Sequence, residues 1–311
     1  MNAKTALLFS GQGSQELGMG RELAEYDAEV MELWKKAERV SKIPLRGIYW
    51  EGGENMDDTS RLQPALTVVN FSLWMAASSR IKPGGAAGHS LGEYAALAAA
   101  GVLKIDEVLG LVTLRGRLMA QADPDGIGAM AAIVKLDLDG AEALVSDVRA
   151  KMGEDPDKEL RIANYNTPAQ FVVSGSKKAI ETLVGLAKER RSRAIPLAVS
   201  GAFHSPYMAG AAREMAKAIN KCDFSRARFP VYCNASGKAE SDAGAIKELL
   251  LKQMTSSVYW IDTVNNQFTD GLTDFVECSP KNVLGKMVGQ ILAAHEGGFS
   301  ARTVSGPADL A

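Results

Sequence analysis

The chain has 311 residues, 46% hydrophobic and 23% charged, with a formal net charge of -2. That balance describes a globular, enzyme-sized protein with a large core, built as one domain or as a large domain carrying a smaller insert. It excludes a dedicated nucleic-acid binder and a polybasic membrane protein, and no stretch reaches the length of a membrane-spanning helix. Cys222, Cys233 and Cys278 lie far apart without Cys-x-x-Cys spacing, which argues against a disulfide framework or a zinc site and for a reducing, cytoplasmic home. The apolar run before Gly11 is too short for a signal-peptide core.

Thr5-Ala6-Leu7-Leu8-Phe9-Ser10 reads as a buried strand, closed by the turn Gly11-Gln12-Gly13-Ser14-Gln15. The turn is not a nucleotide motif: a dinucleotide fingerprint needs glycine where Glu16 stands, and the Gly-Lys-Ser/Thr of a P-loop is missing. Residues 20–42 have unbroken helical spacing (Leu23, Tyr26, Val30, Leu33, Trp34, Ala37, Val40). A polar loop over 50–60 precedes a helix over 64–79, which Lys82-Pro83-Gly84-Gly85 ends. The small, apolar Ala86-Ala87 then runs into Gly88-His89-Ser90-Leu91-Gly92 and an Ala-rich helix that Gly101 stops. Placed between a strand and a helix, Gly-x-Ser-x-Gly reads as a nucleophile elbow, with the serine at a sharp bend, its hydroxyl exposed and the new helix aiming free N–H groups beside it; a tight turn with a solvated serine is the alternative.

The helix over 106–122 holds an anomaly. Val108, Leu111, Val112, Leu118 and Met119 form an apolar stripe, and Arg115 lies within it. A guanidinium on a core-facing stripe is costly unless an anion meets it, so spacing leaves two readings: an ion pair or snorkelling within the chain, or a bound ligand. From Gly128 to Val199 the pattern becomes β-α-β-β-α-β: strands at 129–134, 161–165, 170–174 and 194–199, and helices at 138–149 and 177–190. Beyond it come Ala202-Phe203-His204-Ser205-Pro206, a helix over 207–220, a strand over 229–234, helices over 246–254 and 260–269, a strand over 274–278, and a helix over 283–294. The Gly-, Ser- and Pro-containing residues 296–311 read as a loose tail. The expected fold is therefore α/β: a large α/β-hydrolase-like domain with a mostly parallel sheet (1–126 and 200–295) and an inserted ferredoxin-like βαββαβ subdomain (127–199).

A serine nucleophile needs a base, and the chain has three histidines. His89 adjoins Ser90 and leaves the bend on another side, and His295 borders the tail. His204 is the remaining candidate, well downstream as hydrolase order requires, with a structural role as the alternative.

Several separated motifs together resemble the malonyl-CoA:acyl-carrier-protein transacylase family, over about residues 7–284. They are Gly11-Gln12-Gly13-Ser14-Gln15, Gln63-Pro64-Ala65-Leu66, Gly88-His89-Ser90-Leu91-Gly92-Glu93, Leu114-Arg115-Gly116, Gly128-Ala129-Met130-Ala131-Ala132, Asn164-Tyr165-Asn166-Thr167-Pro168, Ala202-Phe203-His204-Ser205 and Ser279-Pro280-Lys281. The resemblance implies Ser90 as nucleophile, His204 as general base, the backbone N–H groups of Gln12 and Leu91 as oxyanion hole, and Arg115 as the grip on the malonyl carboxylate. It implies Gln63, Asn164 and Phe203 as further pocket residues. It implies malonyl-CoA and acyl carrier protein as partners and no metal or redox cofactor; the letters leave the oligomeric state open, with a monomer as the default. In such relatives a backbone carbonyl orients the histidine, usually that of a glutamine two residues after a proline and just before a tryptophan. Here the run is Ser257-Val258-Tyr259-Trp260, so the Tyr259 carbonyl is the expected one. Ser279-Pro280-Lys281-Asn282 also departs from the usual Gly-Pro-Gly-Lys. Rival readings are an acyltransferase for another acyl-CoA, a serine thioesterase, which leaves Arg115 unexplained, and a catalytically silent carrier-docking module. Carrier proteins are acidic, so Lys177, Lys178, Lys188, Arg190, Arg191 and Arg193 are the candidate docking cations, with a merely solvated face as the alternative.

Overall fold

The computed structural model describes residues 4–52, 55–123, 125–199 and 201–310. The expected domain limit at Ser200 and both chain ends, residues 1–3 and 311, lie outside the described residues. Strand β1 (Lys4–Phe9) has its last four residues buried, as a strand covered on both faces should. Four helices follow: α1 (Arg21–Tyr26), α2 (Ala28–Ser41), α3 (Leu45–Glu51) and α4 (Thr59–Ala77). The single helix expected over 20–42 is two, because Asp27 leaves helical geometry and its carboxylate caps α2 by accepting from the Glu29 and Val30 N–H groups. The loop expected over 50–60 is shortened from both sides: α3 runs to Glu51, and Asp58 caps α4 so that Pro64 falls inside the helix.

Strand β2 (Pro83–Gly88) leads through the elbow into α5 (Gly92–Ala99), which Gly101 terminates at φ 72°, and α6 (Ile105–Gln121) follows. Next come β3 (Gly128–Val134), α7 (Leu138–Met152), β4 (Leu160–Thr167), β5 (Gln170–Ser176), α8 (Lys177–Glu189) and β6 (Arg193–Pro196), the expected β-α-β-β-α-β order. They form a four-stranded sheet, β4-β5-β3-β6, antiparallel at every pairing. The period of two divides its faces. Ala131 and Ile133 join Leu144, Val148 and Leu183 in one cluster, while Met130, Ala132 and Val172 join the principal core.

A short 3-10 turn (Pro206–Met208) precedes α9 (Ala209–Ile219), so the helix expected over 207–220 starts slightly later. Then follow β7 (Val231–Tyr232), β8 (Ala239–Glu240), α10 (Ala243–Lys252), a 3-10 turn (Gln253–Thr255), α11 (Trp260–Thr269), β9 (Leu272–Cys278), α12 (Leu284–Ile291) and β10 (Ser300–Val304). The six-stranded sheet runs β10-β9-β1-β2-β7-β8 and is parallel except at β7–β8. The residues expected to form a loose tail therefore contain an edge strand. Five residues of β10 pair in register with β9, Val304 is buried, and Ser300 Oγ donates to Asp274 Oδ1 at 2.8 Å. The chain is thus a mixed α/β protein with a parallel-rich sheet and a second, antiparallel one. Val258, outside both sheets, links them: its N–H donates to the Ala163 carbonyl (2.8 Å) and its carbonyl accepts from the Tyr165 N–H (3.0 Å) on β4, while the next N–H, of Tyr259, donates to the Asn234 carbonyl just past β7 (3.1 Å).

Candidate active site

The bend between β2 and α5 brings three backbones together. A Cβ on Gly88 would lie 1.9 Å from the carbonyl carbon of Gly92, and one on Gly92 would lie 2.0 Å from the Phe9 oxygen. Only glycine lets the strand, the helix start and β1 pass this closely. The crossing holds Ser90 at φ 50°, a left-handed conformation rare for serine. Asn234 clamps both sides of the bend: its Oδ1 accepts from the Ser90 N–H (2.6 Å) and its Nδ2 donates to the Gly88 carbonyl (2.7 Å).

Ser90 Oγ lies 2.8 Å from His204 Nε2, although 114 positions separate the two residues. The opposite ring nitrogen, Nδ1, meets two backbone carbonyls, Gln253 at 3.1 Å and Ser256 at 3.0 Å. A carbonyl only accepts, so Nδ1 carries the proton and Nε2 turns its lone pair to the serine. Burial, then the charge of Arg115, then His89, depress the His204 pKa to about 3, so the ring is neutral at neutral pH. The Tyr259 carbonyl is not the orienting group. It accepts instead from the N–H (3.0 Å) and Oγ1 (2.9 Å) of Thr263 inside α11, and the Tyr259 ring stacks on Tyr165. The orienting carbonyls come from the turn that closes α10, where terminal C=O groups lack helical partners.

Arg115 is 1% exposed. Its Nη2 donates to Ser90 Oγ (3.1 Å) and to Gln253 Oε1 (3.2 Å), and its guanidinium carbon lies 5.6 Å from the Tyr94 ring centroid. No carboxylate among the described residues comes within ion-pairing distance, and Arg115 Nε has no acceptor. Burial lowers its pKa, opposed by Tyr94 and Glu93. Of the two sequence readings, the intrachain ion pair and the snorkelling arm both fail. A dry cation facing a hydroxyl is left, fit for a small anion attached there.

Ser90, Leu91, Gln12, Gln63, Arg115, Asn164, Phe203 and His204 all line one cavity of about 190 Å³ between the sheets. Tyr259 lies outside it. The backbone N–H groups of Gln12 and Leu91 have no acceptor among the described residues. Gln63 Nε2 reaches Met119 Sδ, and its Oε1 has no partner. Sequence reasoning gave no role to four buried polar residues: Asn166, whose Oδ1 accepts from His89 Nε2 (2.8 Å), and Asn234, Gln253 and Glu93, which surround Ser90 and Arg115. Only the Glu93 position had a visible signal, since an acid in an Ala-rich run facing a strand has no solvent to meet. Among the described residues no group of three or more metal-ligating side chains comes together, and no helix is long and apolar enough to cross a membrane.

A strained serine at an elbow, a neutral imidazole on its oxygen and a pair of N–H groups left without acceptors are the parts of acyl-transfer chemistry, and the chain belongs to the acyl transferase domain family, whose model matches residues 6–306. It is an acyltransferase. Its curated relatives include the malonyl CoA-acyl carrier protein transacylases of Bacillus subtilis, 40% identical over 93% of this chain and 90% of the relative, and of Staphylococcus aureus, 36% identical over 93% and 92%. Among solved structures, an acyl carrier protein S-malonyltransferase from Vibrio cholerae superposes with a TM-score of 0.90 at 35% identity, covering 99% of both chains. A malonyl-transacylase in complex with its type II PKS acyl-carrier protein gives 0.91 at 33% identity, covering 99% of this chain and 98% of that one.

Proposed function

We propose that this chain moves a malonyl group from malonyl-CoA to the phosphopantetheine thiol of an acyl carrier protein, through a malonyl ester on Ser90. The observation that carries the reading is Arg115, buried without a carboxylate partner among the described residues and 3.1 Å from Ser90 Oγ. His204 Nε2 takes the hydroxyl proton as Ser90 Oγ attacks the thioester carbonyl. The oxyanion is met by the Gln12 and Leu91 N–H groups, each worth about 3 kcal/mol of barrier in sites of this kind. Collapse expels CoA as its thiol, which takes the proton from His204. The carrier thiol then gives its proton to His204 and attacks the ester, and Ser90 recovers its hydrogen as the second oxyanion collapses. Throughout, the Arg115 fork holds the free carboxylate by paired hydrogen bonds. All of these steps run on protein groups and call for no metal or redox cofactor.

The same reading takes the elbow unit as hydrolase-like, spanning 1–126 and 200–295, with 127–199 as a ferredoxin-like insert. In support, the fully buried members of the second apolar cluster all lie between Ala131 and Ala187. It takes the protein as a cytoplasmic monomer, which its three free cysteines suit. Of the candidate docking cations around α8, Lys178 is paired with Asp155 and Arg190 with Asp147, which leaves Lys177, Lys188, Arg191 and Arg193 as the carrier-facing set.

Intact-mass measurement after incubation with malonyl-, acetyl- and methylmalonyl-CoA tests the reading. A malonyl adduct absent from Ser90→Ala, and selectively lost from Arg115→Ala, is the expected result. Equal loss of acetyl and malonyl labelling in Arg115→Ala would make that residue structural, and absence of any adduct would remove the proposal.

A further inference from the structure

Behind the cavity lies a buried chain of hydrogen bonds that the proposed reaction does not use. Glu93, in the first turn of α5, is fully buried. Its Oε2 accepts from the Asn234 N–H (3.0 Å) and from Gln253 Nε2 (3.0 Å), while Oε1 has no partner among the described residues. The same Gln253 Nε2 donates to the Ser90 carbonyl (2.9 Å), and Gln253 Oε1 accepts from Arg115 Nη2 (3.2 Å). Resting on the reading above, we infer that Glu93 is a positioning residue for recognition of the acyl carboxylate: it fixes the orientation of the Gln253 amide, and that amide holds the Arg115 guanidinium over Ser90.

Glutamine offers two donors on one end and an acceptor on the other, and here every contact discriminates between them. Turned over, its NH2 would face the donors of Arg115, and its oxygen would face two acceptors, the Ser90 carbonyl and Glu93 Oε2. Without Glu93 one of the two acceptors that hold the NH2 end is gone, and only the Ser90 carbonyl and the Arg115 donor itself oppose that turn. The backbone carbonyl of Gln253, which His204 Nδ1 meets, does not move with the amide. Losing Glu93 therefore loosens Arg115 and leaves the imidazole held. The predicted signature is altered acyl choice with transfer chemistry still running. Arg115, Tyr94 and Cys233 are the titratable groups that face Glu93, and none of them gives it a charge-paired hydrogen bond. Burial raises its pKa to about 7, so below that pH the carboxyl is largely neutral and resembles an amide.

The test is the rate of Ser90 labelling by malonyl-CoA against acetyl-CoA at pH 6, read by intact mass, for the wild type, Glu93→Ala, Glu93→Gln and Gln253→Met. Glu93→Ala and Gln253→Met are expected to lower the malonyl-to-acetyl rate ratio about tenfold, the effect of releasing one hydrogen bond to a charged group. Glu93→Gln is expected to restore the ratio, since an amide oxygen at the Oε2 position keeps both bonds and its NH2 falls where Oε1 has no partner. Parallel loss of both labels, with the ratio unmoved in Gln253→Met, overturns the inference even if Glu93→Ala does not fold. A wild type that acquires no malonyl label would sink the functional reading instead, a separate outcome.

Discussion

The depressed basicity of His204 makes a quantitative prediction about acid tolerance. A free imidazole with a pKa near 6.5 is only about 3% neutral at pH 5, so a site relying on one would slow about thirtyfold between pH 8 and pH 5. With its pKa at about 3, His204 stays almost wholly neutral over the same interval. The cause is geometric: the residue is 4% exposed and the Arg115 cation shares the serine with it, while the two carbonyls on Nδ1 push the other way and offset this only in part. Single-turnover kcat/KM for Ser90 malonylation, measured in quenched flow from pH 5 to pH 8, is expected to fall less than about threefold at the acid end, because this ratio reports groups of the free enzyme. A thirtyfold fall centred near pH 6.5 would refute the reasoning, because it would mean that the imidazole sees solvent.

Replacing Gly92 with alanine forces a Cβ to 2.0 Å from the Phe9 oxygen, and the variant should lose at least about 3 kcal/mol in denaturant melts or fail to fold. Exchanging Arg191 and Arg193 together for glutamate should raise the KM for carrier protein without changing Ser90 malonylation from malonyl-CoA, whereas Arg190→Glu, which breaks an ion pair with Asp147, should lower melting temperature more than docking. For Glu93, whose folded pKa of about 7 stands above its unfolded value, the stabilising contribution is complete below the unfolded pKa and is lost as pH rises through 7. The melting temperature of Glu93→Gln relative to wild type should therefore climb between pH 5 and pH 8, and a flat difference would contradict a buried, titrating carboxyl. His204 works with the opposite sign: its depressed pKa withdraws stability as pH falls from 6.5 toward 3, which a melting series on His204→Gln would show by its shallower acid limb.

Much of this arrangement was legible in the residues because its causes are local. A four-residue apolar run makes β1, the β-α-β-β-α-β order marks the antiparallel sheet, and paired glycines around a serine make the elbow. Arg115 betrayed itself by standing on an apolar stripe. What escaped notice acts through the backbone or at a distance. A carbonyl leaves no trace in side-chain identity, so the orienting role was placed at Tyr259 by its tryptophan neighbour when it belongs to Gln253 and Ser256. Gln253 reads as an ordinary polar helix end, and its burial depends on three partners far away in sequence. Asp27 broke a helix with no proline in sight, by bonding its side chain to the following amides. Ser300-Ala301-Arg302-Thr303-Val304 is short and polar between Gly- and Ser-rich flanks, and only the open edge of β9 makes it a strand.

The stitch at Val258 has a mechanical meaning. The few residues from Gln253 to Tyr259 supply both acceptors for the imidazole, the pairing of Val258 with the antiparallel sheet, and the Tyr259 N–H that holds the Asn234 carbonyl just past β7. Any shear that widens the gap between the sheets, as a bulkier acyl chain would demand, must drag on the same short span and tilt the ring away from its serine. Roominess and alignment are thus one variable in this protein, and engineering for larger cargo should begin by lengthening that span before carving the cavity wall.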